Sequence, residues 1–152
     1  MGPSAGDAHT IVEASRYLVL ATADVEGRPW STPVYFAHVG CREFFWVSSP
    51  DVTHSRNIAV RPRVGIVVFD SSAEIGTGQG VYMSAVAEEL VDGAERALDV
   101  FSRRSLGHGG RVWTLDDVRG DSGMRLYRAV AESHSMLAKD GRPDHRVPVD
   151  LG

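Results

Sequence analysis

Apolar and polar residues alternate in short blocks along most of this chain, and glycine, proline and aspartate separate the blocks. A period of two predicts strands. YLVLATA (17–23), PWSTPVYFAHV (29–39) and EFFWVSS (43–49) follow one another across the short turns 24–27 and 40–42, so they predict an antiparallel meander. RVGIVVFD (63–70) is apolar on both faces, as the most buried strand would be. VYMSAVAEELV (81–91) and GMRLYRAVAES (123–133) bring the predicted strands to six. Pro33 lies inside the second strand. Proline has no N–H for a ladder, so that position predicts an edge, a bulge or a neighbouring ligand.

The period lengthens to that of a helix in three places. Asp7 is the predicted cap of a helix over 8–16, and Asp51, after Pro50, of one over 51–60 that Pro62 ends. Asp92 and Glu95 form a capping-box-like pair before 93–104, where Ala94, Ala97, Leu98 and Phe101 share one face. Thr114 is the expected cap of a turn over 114–119. Residues 1–6 and about 139–152 read as peripheral tails of a single domain spanning 1–152. The sum predicts a mainly β (α+β) fold: a closed or split six-stranded antiparallel barrel with two or three short flanking helices.

Composition narrows the chemistry. The chain has 152 residues and a net charge of −4; its sixteen basic residues are scattered and Lys139 is the only lysine, which argues against nucleic acid. Cys41 has no partner for a disulfide and no metal-ligand spacing, so no metal is expected. The start, MGPSAGDAHT, lacks a signal-peptide pattern, and no apolar run nears the roughly 20 residues a bilayer requires. A cytoplasmic protein without membrane attachment is expected.

The stretch 48–56 carries the clearest chemistry. Free N–H groups and partial positive charge at a helix start suit a phosphate, and Ser48, Ser49, Thr53, His54 and Ser55 crowd donors there. In a small barrel-like domain that phosphate points to a cofactor. The alternative is a capped helix with a solvated polar face. His54 and Arg56 stand about 200° apart around a helix, so both cannot face one phosphate from its surface; His54, in the first turn, is favoured, with Arg56 next.

Elsewhere no nucleophile–base–acid set is visible. His38 has no sequence-local Ser or Asp partner, and Cys41 sits in a hairpin turn beside only Arg42. His108 between glycines reads as an exposed hinge, the loop Gly76-Thr77-Gly78-Gln79-Gly80 as a flexible turn, and Ser133, His134 and Ser135 as a polar strand end. Trp30, Tyr35 and Trp46 suit either an aromatic platform or ordinary packing. An enzyme with these residues would borrow its chemistry from a redox cofactor.

Four strings in this order, GRPWSTPVYF (27–36), EFFWVSS (43–49), RNIAVRPRVGIVVF (56–69) and GVYMSAVAEEL (80–90), resemble the flavin-binding split barrels related to pyridoxamine 5′-phosphate oxidase. The resemblance implies a homodimer holding FMN, or the deazaflavin F420, at the subunit interface. It implies that Ser31, Thr32, Pro33 and Val34 line the flavin, that Ser48 and Ser49 lie beside its phosphate with His54, Ser55 and Arg56, and that Gln79 approaches the ring. The function implied is hydride or electron transfer between FMN and a small-molecule substrate. Alternatives on the same fold are an F420-dependent reductase and a non-catalytic flavin- or haem-binding module. Three departures stand out. His54 replaces a lysine of many relatives, Asp51 is negative where an anion would dock, and Arg142, His145 and Arg146 only faintly echo an arginine-rich C-terminal substrate motif.

Overall fold

The computed structural model describes residues 2–152. Its order is α1 (Ala5–Ala14), β1 (Tyr17–Ala23), β2 (Pro29–Tyr35), β3 (Ala37–Val39), β4 (Glu43–Ser48), α2 (Thr53–Val60), β5 (Arg63–Phe69), β6 (Gly80–Glu89), α3 (Ala94–Gly107), a 3₁₀ turn (Leu115–Val118), β7 (Arg125–Leu137) and β8 (Arg146–Pro148). All strands join one antiparallel sheet in the order β2-β1-β5-β6-β7-β4-β3, with β8 added to β7.

The sequence continuity of β2 and β3 explains the curl. They are the two edges of the sheet, yet only Phe36 separates them in the chain. That residue is fully buried, and its N–H donates to the Arg16 carbonyl. The edges therefore meet at one corner and diverge beyond it, which makes a split barrel. Inward alternation fills the interior with Leu18, Leu20, Phe36, Phe44, Trp46, Val64, Ile66, Val68, Val81 and Met83. Each fully buried large side chain contributes about 1.5–3 kcal/mol. A second cluster lies outside the sheet, where α3 lays Ala94, Ala97, Leu98 and Phe101 over Ala37, Phe45 and Leu126.

Several details differ from expectation. The described residues form eight strands because 29–39 breaks at Phe36 and the supposed C-terminal tail supplies β8, with Val149 buried in the core behind it. The first helix begins at Ala5, capped by Ser4; Asp7 completes the capping box from the third helical position. Asp92 does not cap α3, which starts from Gly93 in the left-handed region (φ 78°) that glycine tolerates. Asp51 does not cap α2 either. Thr114 caps its turn as expected, and Pro33 lies on the edge strand β2. No helix among the described residues is long and apolar enough to cross a membrane.

Candidate functional site

Two places gather the residues of interest, and the sheet separates them. The first is the start of α2. Ser48, the last residue of β4, faces inward, and its hydroxyl lies 2.9 Å from His54 Nε2 in a buried pair. Asn57 donates to Thr22 Oγ1 at 3.0 Å, tying α2 to β1. The N-cap position is Val52, which offers no capping side chain. The first N–H satisfied along the helix is that of Arg56, to the Val52 carbonyl, so those of Thr53, His54 and Ser55 have no partner among the described residues. Among the described residues Trp46 Nε1 is a buried polar atom without a hydrogen-bond partner, and buried Ser55 Oγ has no well-aligned one, its polar neighbour being the Tyr127 phenol; the Tyr127 ring stacks on Trp46 at 6.0 Å.

Charge at this end differs from the sequence expectation. Burial pushes the His54 imidazole below its ordinary range, which favours the neutral ring. Its Nε2 is engaged with Ser48, so His54 orients a neighbour instead of presenting fixed charge. Arg56 is exposed and free of acids and carbonyls among the described residues. The available cation is therefore Arg56. Ser49 Oγ accepts from the Asp51 N–H at 3.1 Å, closing a small turn ahead of the helix.

The second place is the outer face of the sheet, opposite the core. Register sets Ser31, Ala21, Gly65, Ser84 and Ser133 side by side across β2, β1, β5, β6 and β7. Five strands span about 19 Å at their usual spacing. Small side chains make this row the floor of an open groove of about 390 Å³, walled by Val19, Val67 and Tyr82 from the next row and by Arg146. A bulge in β7 is essential to it. Ala131 pairs with Ala85 but Ser133 pairs with Ser84, leaving Glu132 extra, and that single insertion turns Ser133 and Ser135 outward. Glu132 itself meets Arg63 at 2.6 Å.

The expected ring-lining residues do not share one face of the sheet. Ser31 and Pro33 face outward with Ala21 and Val19, whereas Thr32 and Val34 face the interior opposite Leu20 and Leu18. Gln79 bridges backbone groups: its amide N–H donates to the Leu137 carbonyl at 3.0 Å, and its oxygen accepts from Leu137 and Gly80. Trp46 is wholly buried, Trp30 is exposed, and Tyr35 donates or accepts at 2.7 Å with His108 Nδ1, so His108 is a packed contact and not a free hinge.

Long-range partners escaped the sequence reading. His38 Nδ1 accepts from the Cys41 N–H at 3.1 Å, which leaves the proton on Nε2 to donate to Glu13 at 2.5 Å. His134 contacts the Cys41 carbonyl at 2.6 Å, and Cys41 Sγ lies 3.4 Å from His9. Burial pushes the Cys41 thiol up to about 11, so it stays protonated and unreactive at neutral pH. No group of three His, Cys, Asp or Glu among the described residues is placed to hold a metal. The groove's Gly65 and Ser84 were also missed, and Arg146 was noted only as part of a faint C-terminal motif; only strand pairing could have joined them.

The family profile described as pyridoxamine 5′-phosphate oxidase matches residues 6–136. The chain belongs to this family. A heme binding protein of Mycobacterium smegmatis is 23% identical over 97% of this chain with a TM-score of 0.73; the chain spans 59% of that protein's length. HutZ, the heme storage protein of Vibrio cholerae, is 22% identical over 86% of this chain and 90% of its own, with a TM-score of 0.68. A FAD-binding protein of Mesorhizobium loti is 20% identical over 90% of this chain and 93% of its own, with a TM-score of 0.63. At such identities the likeness is one of fold. Comparison with curated proteins gave no match.

Proposed function

We propose that this chain binds FMN and works as a homodimeric oxidoreductase, moving hydride or electrons between the flavin and a small organic substrate. One observation carries the reading: among the described residues, α2 begins with three unclaimed N–H groups, a buried Ser55 hydroxyl whose one polar neighbour, the Tyr127 phenol, is poorly aligned to it, and a free Arg56 guanidinium. Those donors fit a phosphate monoester, which accepts several N–H and O–H bonds at a helix start. Thr53, Ser55 and Arg56 would hold the phosphate, with Ser49 beside them, while His54 fixes Ser48. Bound flavin would supply the hydride chemistry, and the chain's own residues would position it and exclude water.

A second copy is the natural cover for the end of the outer sheet face where Tyr17 and Phe69 are exposed, with the groove over Ala21, Gly65 and Ser84 left as a cleft beside it. Apolar faces of this kind commonly mark self-association. A seam there would also bring outward-facing Pro33 to the partner and leave Ser31 in the cleft at its margin. Haem is the second reading, favoured by the two haem-related structures. Against it, no histidine lines the outer groove to serve as an axial ligand.

The visible spectrum of purified protein, before and after titration with FMN, F420 and haem, separates these outcomes. Flavin bands that Arg56→Ala weakens would support the proposal. A colourless protein indifferent to FMN, or a Soret band alone, would overturn it. The lone, buried, protonated thiol suits a reducing cytoplasm.

A further inference from the structure

Arginine pairing across the surface picks out one further feature. Among the described residues, nearly every arginine holds a carboxylate or a backbone carbonyl. Arg16, Arg56 and Arg146 do not. Arg56 belongs to the start of α2, and the hollow beside Arg16 also holds Asp70. Arg146 alone stands in a groove that contains no acid.

Strand pairing and a ring contact fix its place. β8 pairs with the end of β7, opposing Arg146 to Leu137 and Pro148 to Ser135, so the strand runs along the groove's rim. The guanidinium lies over the Tyr82 ring, 3.7 Å from its centroid. Stacking uses one face of the planar cation and leaves its edge N–H groups free. Around it the groove presents hydroxyls from Ser31, Ser84, Ser133 and Ser135, with Val19, Val67 and Tyr82 as apolar walls.

We infer that Arg146 and the serine-floored groove form a recognition site for a small planar carboxylate, seated with its body over Val19 and Val67 and its carboxylate on the Arg146 fork, which the Tyr82 ring holds in place. A single guanidinium matches the single charge of a carboxylate in a two-pronged geometry. A phosphate dianion is less well served. The floor strands pair their N–H groups with one another, so no backbone nest and no second cation are at hand. If the flavin reading holds, this carboxylic acid is the substrate class; the binding itself does not depend on that reading.

The test uses the full chain with benzoate, phenyl phosphate and benzyl alcohol as probes, followed by calorimetry and by ligand-observed NMR. Benzoate is expected to bind, and Arg146→Gln to weaken it at least about tenfold, the usual loss for a charge-assisted fork. Arg146→Lys should restore only part of the affinity, because an ammonium cannot fork or stack in the same way. Benzyl alcohol should bind weakly and be insensitive to either change. Equal benzoate affinity in Arg146→Gln, tighter phenyl phosphate than benzoate, or no benzoate binding would each overturn the inference. Circular dichroism of the variant confirms that it is folded. Running the titration with and without FMN keeps the two readings apart. Arg146-dependent benzoate binding in a protein that ignores FMN would leave this site standing and remove the flavin.

Discussion

Helices α1 and α2 bury side chains in the same core, Ala8 and Val12 from one and Ile58 from the other, yet their ends are treated differently. The chain itself closes both ends of α1. Ser4 and Asp7 form a reciprocal capping box at its start. At its finish Arg104 donates to the carbonyls of Val12, Glu13 and Ser15 at 3.4, 3.1 and 2.8 Å, and its guanidinium lies over Phe36 at the corner where the barrel edges meet. α2 starts on Val52 with no cap and keeps a buried hydroxyl with no well-aligned partner. A fold optimised for stability alone would have capped both. Positions that give up local stability mark the places reserved for something outside the chain.

The largest effect should come from breaking the closed helix. Arg104→Ala strips three carbonyls of a donor and leaves Glu13 with His38 alone. A loss of about 2–4 kcal/mol is expected, read from the urea midpoint. A change below about 1 kcal/mol would mean that Arg104 only decorates the corner.

Acid should act on both helices, on α1 through His38, which bonds its Glu13, and on α2 through its own His54. Burial holds His38, His54 and His134 below the usual imidazole range. The unfolded chain, with imidazoles near 6.5, takes up protons first as the pH falls. Stability is therefore whole above about pH 6.5 and declines below it, until the folded rings titrate as well. His38 has the Glu13 carboxylate to offset burial, whereas His54 has no such counter-charge, so His54→Gln should flatten the profile more than His38→Gln. Urea midpoints that stay constant from about pH 7 to 5 would contradict this burial.

Arg56→Ala targets the open helix. FMN affinity should fall about tenfold, roughly 1.4 kcal/mol, while the flavin-free protein keeps its stability within about 0.5 kcal/mol. Fluorescence quenching of FMN measures the first and urea unfolding the second. If both fall together, Arg56 is structural and the contrast between the helices disappears.

The elements were legible wherever period and punctuation agreed. Alternation placed β1 and β4, and a continuous apolar run β5, almost to the residue, and Pro33 correctly signalled an edge. The break at Phe36 carries no local signal, because an aromatic residue suits a continuous strand as well as a corner; the closing of the sheet chose the corner. Ser4 and Asp7 are both acceptable caps, and only the reciprocal bond between them decides their roles. At the site, the hydroxyl-rich start of α2 could be read, but not that His54 turns inward and Arg56 stays free. The groove was illegible for a different reason. Ser31, Gly65, Ser84 and Arg146 are scattered through the sequence and become neighbours only through the register of five strands and the pairing of β8.

The smallest effect is also the one that best tests why α2 is left open. Val52→Asp would place a carboxylate at the N-cap position, where the φ of −75° and ψ of 157° already suit a capping residue. Its oxygen can take the unclaimed N–H groups of the first turn and complement the helix dipole. The flavin-free protein should gain about 0.5–1 kcal/mol in urea unfolding. FMN affinity should fall in the same variant, because the new carboxylate occupies the donors and repels the phosphate. Val52→Ser gives the neutral control: it caps without the repulsion and should weaken FMN less. A gain in stability with no loss of FMN would show that the open start serves some other purpose. No gain in either variant would mean that water already satisfies these groups, and that an uncapped helix here carries no message about a ligand.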